Sequence, residues 1–241
     1  AGLIPNCISY DPTFAYELAV ILQDGLRRMY ADGEDVYYYI TVLNENYSQP
    51  AMPEGAEEGI RQGMYLFGQY GPDDARARVQ LMGSGSILRE VIAAGQLLAE
   101  RYGLASDVWS VPSFNEVGRE AQRIERANRL APQSEQKKPY ITRLLADRSG
   151  PVIAATDYVR AFADQVRAYL PTADYTVLGT DGFGRSDTRE NLRNFFEVDR
   201  YHVAWAALVA LNRRGEFEDQ KLMDAIEDLG INPDKPLPRS V

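Results

Sequence analysis

The second half of this chain alternates, and that constrains its fold more than any other feature. Short β-branched or apolar runs at residues 79–82, 107–111 (DVWSV), Val152–Ala155 and Tyr175–Leu178 alternate with stretches of helical spacing. A helix is expected over 87–102, with Leu88, Val91, Ile92, Gly95, Leu98 and Ala99 on its inner side. Further helices are expected over 115–128, 158–170, 188–196, 198–215 and 218–229, with a polar loop over 130–138. A strand is also expected at 63–67 (GMYLF), paired with 79–82 as an antiparallel hairpin across the turn-rich stretch 68–77. The fold class is α/β: a mixed, mostly parallel sheet of about five strands with helices on both faces.

The front of the chain reads differently. Asp11-Pro12 has the form of a helix start, Asp as N-cap and Pro preset at the first position. Phe14, Leu18, Ile21, Leu22, Leu26 and Met29 follow at spacings of three and four, until Asp32-Gly33 breaks the pattern. Residues 36–43 (VYYYITVL) read as a buried strand. Pro50 and Pro53 mark the following loop as a connection between two domains, with a short helical turn after Glu54. Helix then strand suggests the end of another parallel α/β layer, and the opening residues AGLIPN read as a piece cut from a longer protein.

Composition removes several functions. Fifteen Tyr, eight Phe and 45% hydrophobic residues exclude a disordered chain. A net charge of −9 gives no electrostatic footprint for nucleic acid. No apolar run approaches the roughly 20 residues of a membrane span. One Cys and one His argue against a disulfide framework and a zinc site, so no metal ligand is assigned and a reducing, cytoplasmic setting is expected.

The motifs leave alternatives open. Gly83-Ser84-Gly85-Ser86 joins a strand to a helix, where backbone amides can hold an anion. A dinucleotide fingerprint fails, because Leu88 stands at the third glycine position and DVWSV ends in Pro112. A tight turn with glycines placed for packing is the competing reading. The loop GTDGFGRSD at 179–187 is either a ligand or subunit contact through Asp181, Arg185 and Asp187, or a structural loop in which Asp187 or Thr188 caps the next helix. Asn44-Glu45-Asn46-Tyr47 closes a strand, where ligands gather in open α/β sheets, though many such loops are only solvated turns. His202 in YHVAWAAL reads as a packed, hydrogen-bonded core residue, and Cys7 as inert. These residues alone specify no complete active site.

Four runs, in unbroken order, carry a resemblance: IPNCISYDPTFAYELAVILQDGLRRMY, EDVYYYITVLNENYSQPAMPEGAEEGI, VQLMGSGSIL and VLGTDGFGRSDTRENLRNFFEVD. Together they resemble the homodimeric bacterial pyruvate dehydrogenase E1 family, within the transketolase-like thiamine diphosphate enzymes. The resemblance implies that residues 1–56 are the end of a pyrimidine-binding domain and residues 57–241 a transketolase-type C-terminal domain. Transketolases carry Trp-Arg-Pro before the equivalent helix and Ser-Arg-Gln after the equivalent strand, two arginines that hold a sugar phosphate. Here the matching segments are Tyr10-Asp11-Pro12 and Asn44-Glu45-Asn46. Carboxylates there would repel a phosphate, which pyruvate lacks.

The implied activity is decarboxylation of pyruvate and reductive acetylation of the lipoyl group of E2, the dihydrolipoyl acetyltransferase. The full-length enzyme would use thiamine diphosphate and Mg, held by residues that resemblance places before Ala1. No catalytic residue maps here, and the piece alone is expected to bind no cofactor and to be inactive. Tyr10, Asp11, Asn44 and Tyr47 would lie near the outer substrate channel, unless Asp11 is only a helix cap. Asp181, Phe183, Arg185 and Asp187 would form a loop at the subunit interface of the homodimer. Two alternatives remain: an interaction module for dimerisation or E2 docking, and a small-molecule domain using the GSGS turn. An apolar patch is expected where upstream strands would pack.

Overall fold

The structure is a computed structural model and describes residues 1–240. The chain opens with β1 (Cys7–Tyr10), α1 (Ala15–Leu26) and β2 (Tyr37–Ile40). β1 and β2 pair in parallel as a two-stranded sheet, Cys7 opposite Tyr37 and Tyr10 opposite Ile40. Helix α2 (Ala56–Gln62) leads to the second sheet. Its strands are β3 (Tyr65–Tyr70), β4 (Arg78–Gly83), β5 (Ala105–Ser110), β6 (Val152–Ala155) and β7 (Tyr175–Leu178). Between them lie α3 (Leu88–Tyr102), α4 (Phe114–Leu130), α5 (Tyr140–Leu144) and α6 (Arg160–Asp164). Three helices close the chain: α7 (Arg189–Phe195), α8 (Arg200–Arg213) and α9 (Asp219–Asp228).

The five-stranded order is β3-β5-β4-β6-β7, parallel throughout except for β3, which runs antiparallel along β5. The expected α/β class with helices on both faces is therefore present. Period-two alternation sorts the side chains. Val79, Leu81, Val108 and Ile153 face Leu88, Val91 and Leu98 of α3 and Val203, Ala207 and Leu211 of α8. Met82, Trp109 and Ala154 face Phe114 and Val117 of α4, Ile141 of α5 and Ala163 of α6. A polar strip crosses this second face. The Trp109 indole N–H donates to Gln80 Oε1 at 2.9 Å, and Gln80 Nε2 donates to the buried Asp107 carboxylate at 3.0 Å. Arg78 and Gln69 donate to the same carboxylate at 2.6 and 2.7 Å. Burial works against the Asp107 charge, but these donors and Arg148 outweigh it and hold the carboxyl below the usual range.

Four expectations need correction. The hairpin of 63–67 with 79–82 does not form: β5 lies between β3 and β4. Residues 79–83 are buried throughout, and such a strand takes parallel partners on both edges. The strand expected over 36–43 is four residues long and only half buried. With β1 its one partner, Tyr38 and Ile40 pack inward while Tyr37 and Tyr39 are exposed. Asp11 is not the N-cap of α1, which starts at Ala15 with Phe14 in the cap position. The Glu17 carboxylate reaches back and accepts from the amides of Thr13 and Phe14 at 2.5 and 3.0 Å. The helix expected over 158–170 is broken into α6 and a single 3₁₀ turn, Arg167–Tyr169. Helix α5 was hidden in sequence because only five residues form it.

Gly83 shows why the β4–α3 turn is glycine-rich. A Cβ there would lie 2.8 Å from Leu88 Cα and 2.9 Å from Val91 Cγ2, so strand and helix meet only without one. The front segment joins this sheet through a buried knot. Glu17 is 0% exposed, and its second oxygen accepts from Tyr65 Oη and Ser110 Oγ, both at 2.6 Å. Tyr16 donates in turn to Tyr65 at 2.7 Å. Ile8, Val20 and Ile21 pack with Ala56, Ile60 and Tyr65 beside it.

Candidate functional site

The carboxyl ends of β1, β2, β4, β6 and β7 converge on one end of the molecule, the usual ligand position in parallel sheets. Asp11 follows β1 and is the hub. Its carboxylate accepts from Thr41 Oγ1 at 2.5 Å and from Tyr158 Oη at 2.8 Å, so residues after β2 and β6 meet there. Its carbonyl accepts the Gly85 amide at 2.9 Å, and Thr13 Oγ1 donates to the Gly85 carbonyl at 2.6 Å. The Gly85 amide is thus spent on Asp11, which favours the packing reading of GSGS over the anion cradle. Asp11 is 7% exposed with no cation beside it. Burial pushes its carboxyl above the ordinary value, against the pull of the Thr41 and Tyr158 hydroxyls.

The loop after β2 is clamped from the C-terminal helices. Glu45 accepts from Arg89 of α3 at 2.5 Å and from Arg193 of α7 at 2.8 Å, with Arg189 at 3.6 Å. Arg193 also meets Glu90 at 3.2 Å, and Arg200 of α8 donates to Glu90 at 2.9 Å. Burial opposes the charge of Glu45, but Arg89 and Arg193 hold its carboxyl below the usual range. The Arg89 guanidinium lies 4.3 Å over the Tyr47 ring, and the Tyr47 hydroxyl donates to the Thr13 carbonyl. Arg189 donates to the Asn44 carbonyl.

The structure thus brings Asp11 and Tyr47 into one cluster with Asn44 at its edge, through that carbonyl. Tyr10 stands apart: its ring stacks on Tyr38 at 6.1 Å and its hydroxyl donates to the Arg61 carbonyl at 2.6 Å. In the loop after β7, two of the four singled-out residues have structural partners. Asp181 accepts from the amide and Nε of Arg160 at 2.8 and 2.7 Å. Asp187 accepts from the Thr188 amide and from Asn191 Nδ2 at 2.7 and 2.8 Å, while Thr188 is the N-cap of α7. Phe183 is 82% exposed, and the Arg185 guanidinium lies 5.1 Å over the Phe195 ring. His202 is a core residue on Asp199 at 2.8 Å.

Sequence reasoning missed Thr41, Tyr158, Arg89, Glu90, Arg189 and Arg193. The one available signal was in α7, where Arg189 and Arg193 share a face at a spacing of four. Beside this cluster lies a cavity of about 230 Å³, lined by Ser86, Asp157 and residues of the β7–α7 segment. Among the described residues no group of three His, Cys, Asp or Glu comes together to hold a metal ion. The cluster's carboxylates, Asp11 and Glu45, are engaged by hydroxyls and arginines. Neither carboxylate is left free to hold a metal ion.

Residues 63–199 match the family model of the transketolase-like TK C-terminal domain. The chain belongs to that family. Residues 1–50 match the middle domain of the pyruvate dehydrogenase E1 component. Among curated proteins, pyruvate dehydrogenase E1 components are similar along nearly the whole chain. The one from Cupriavidus necator is 57% identical over 238 residues, and that from Pseudomonas aeruginosa 55% over 235. They cover 99% and 98% of this chain, which in turn spans 26% of each of them. The chain is therefore about a quarter of the length of the curated relatives it matches. Among solved structures, a Pichia stipitis transketolase complex with sedoheptulose 7-phosphate has a TM-score of 0.56 at 16% identity, over 90% of this chain and 27% of that one. A split-gene transketolase, titled an inactive β4 tetramer, has a TM-score of 0.52 at 16% identity, over 87% of this chain and 58% of that one. These likenesses establish a shared fold.

Proposed function

We propose that this chain is the closing portion of a pyruvate dehydrogenase E1 polypeptide, which decarboxylates pyruvate and reductively acetylates the lipoyl group of its E2 partner. The observation that carries the reading is identity above one half to two such proteins along nearly the full chain. Residues 1–56 would complete the pyrimidine-binding domain, and residues 57–241 would be the transketolase-type domain. Thiamine diphosphate and magnesium would be held by residues preceding Ala1, in a homodimer working in the cytoplasm. The described helices include none long and apolar enough to cross a membrane.

The geometry supports a channel wall for a small, phosphate-free acid. Where transketolases place two phosphate-binding arginines, Asp11 and Glu45 present carboxylates, and both are locked by neighbours. Asn44, Asp11 and Tyr47 would border this wall, with Tyr10 supporting β1 from behind. The outer edge of β2 is unpaired among the described strands, and Tyr30, Tyr37 and Tyr39 are exposed on that segment, which suits packing by further strands. Phe183 and Arg185 would face the second E1 subunit, with Asp181 and Asp187 shaping their loop. A second reading, a dimerisation or E2-docking module without its own catalytic site, is favoured by exposed Phe183 and by the inactive state of the split-gene transketolase named above.

Calorimetry separates these readings. The 241-residue chain should give no saturable heat with thiamine diphosphate and magnesium, and a polypeptide extended upstream of Ala1 should. Tight binding by the chain alone, or none by the extended polypeptide, would overturn the assignment of the cofactor residues.

A further inference from the structure

The cavity of about 230 Å³ beside the carboxyl-end cluster has a polar lining that the contacts described so far leave partly unused. It is bounded by Ser86 after β4, Asp157 after β6, Thr180 and Arg185 after β7, and Arg189 and Arg193 of α7, above a floor that includes Leu192, Phe196 and Val198. Three arginines and one aspartate line it, and the carboxylates of Glu45 and Glu90 already balance part of that positive charge from behind. Arg193 is occupied by Glu45 and Glu90, and Arg189 by the Asn44 carbonyl. Arg185 has no carboxylate partner among the described residues and rests on the Phe195 ring, which leaves its planar fork of donors free.

Two further groups are unspent. The Asp157 carboxylate has no hydrogen-bond partner among the described residues; burial pushes its carboxyl above the ordinary value, with the charge of Arg193 opposing that shift and the charge of Glu45 adding to it. Ser86 is 4% exposed, and its hydroxyl too lacks a partner. Among the described residues only the Ser106 hydroxyl is both sealed from water and unpartnered. The Ser86 hydroxyl therefore keeps an open side, and the cavity is the open space it lines. That open side leaves the Ser86 hydroxyl available as a donor or acceptor to a molecule in the cavity.

We propose that this cavity is a binding site for a small hydroxylated oxyanion: Arg185 takes the anionic oxygens, and Asp157 and Ser86 read a hydroxyl on the same molecule. The size fits that class. A volume of 230 Å³ is below the roughly 300–1,000 Å³ of drug-sized pockets and amounts to about seven or eight waters. The guanidinium supplies a bidentate, charge-assisted pair. An unpaired aspartate beside it repels a plain carboxylate and accepts only from a ligand that brings a donor, so the two charges together select. The site rests on this chain's own lining and would stand if the pyruvate dehydrogenase reading failed; if that reading holds, Arg185 belongs to the interface loop as well and the cavity opens at the edge of that interface.

Binding is read by NMR chemical-shift titration of the whole chain with glycolate, inorganic phosphate and acetate, the last lacking the hydroxyl. Glycolate or phosphate should bind with a Kd on the order of 1 mM, and acetate about tenfold more weakly. The stronger of the first two identifies the source of the oxyanion as hydroxy acid or phosphate. Arg185→Gln should weaken binding about tenfold with the melting temperature unchanged, and Ser86→Ala should narrow the gap between glycolate and acetate. The proposal is overturned if neither glycolate nor phosphate saturates, if acetate matches glycolate, or if the folded Arg185→Gln variant binds as the parent does.

Discussion

Glu45 offers the most direct handle on the clamp between the front segment and the C-terminal helices. In Glu45→Ala, Arg89 and Arg193 each lose a charge-assisted contact, at 2.5 and 2.8 Å, to a carboxylate whose side chain is 15% exposed. Such contacts contribute roughly 1.5–3 kcal/mol each when removed from a shielded site. Arg89 is one-third exposed and keeps its Tyr47 stacking, and Arg193 keeps Glu90, so part of the loss is recovered. The expected destabilisation is about 2–3 kcal/mol, or a fall in melting temperature of roughly 4–12 °C for a chain of this size. The pH dependence follows from the lowered carboxyl of Glu45. Stability from a depressed acid is present above its unfolded value, about 4.3, and is lost as pH falls through the lower folded value. Urea unfolding of parent and variant should therefore differ at pH 7 and converge below about pH 4. Hydrogen exchange in residues 44–49 should rise in the variant, since both arginines hold that loop. A difference under about 0.5 kcal/mol at pH 7 would refute the clamp.

Other substitutions probe separate parts of the account. Gly83→Ala places a methyl 2.8 Å from Leu88 Cα and should cost about 1–3 kcal/mol in denaturant unfolding, with no new contact to offset it. Leu81→Ala empties a fully buried site between β4, α3 and α8 and should cost about 2–5 kcal/mol by the same assay. Asp11 has a raised carboxyl, so the parent should lose stability as pH climbs from about 4 through the raised folded value; Asp11→Asn should show a flatter profile between pH 4 and 7. Phe183→Ser should weaken self-association in light scattering while leaving stability within about 0.5 kcal/mol, because the ring is 82% exposed.

Local pattern made much of the fold legible. Val152–Ala155 and Tyr175–Leu178 are strands at their expected bounds, because short apolar runs flanked by turn residues have one compatible structure. The failures are non-local. Nothing in residues 63–82 reveals that β5, some 25 residues later, inserts between β3 and β4. The run VYYYITVL has the composition of a central strand, but its exposure is set by a single parallel neighbour. At the site, the family contrast marks Asp11 and Glu45 as carboxylates where transketolases carry arginines, but their partners Tyr158, Arg89 and Arg193 lie from 44 to 148 residues away. Tertiary structure alone decides that the cap-like Asp11 gathers hydroxyls instead. Family resemblance reached the E1 reading, while composition and spacing reached only the α/β class.

Pyruvate-dependent reduction of an artificial electron acceptor tests the central claim most directly. With thiamine diphosphate and magnesium present, the 241-residue chain should turn over no pyruvate, and a polypeptide carrying the same residues behind the upstream portion should do so. Turnover by the chain alone, or an inert extended polypeptide that is folded and dimeric, would contradict the account.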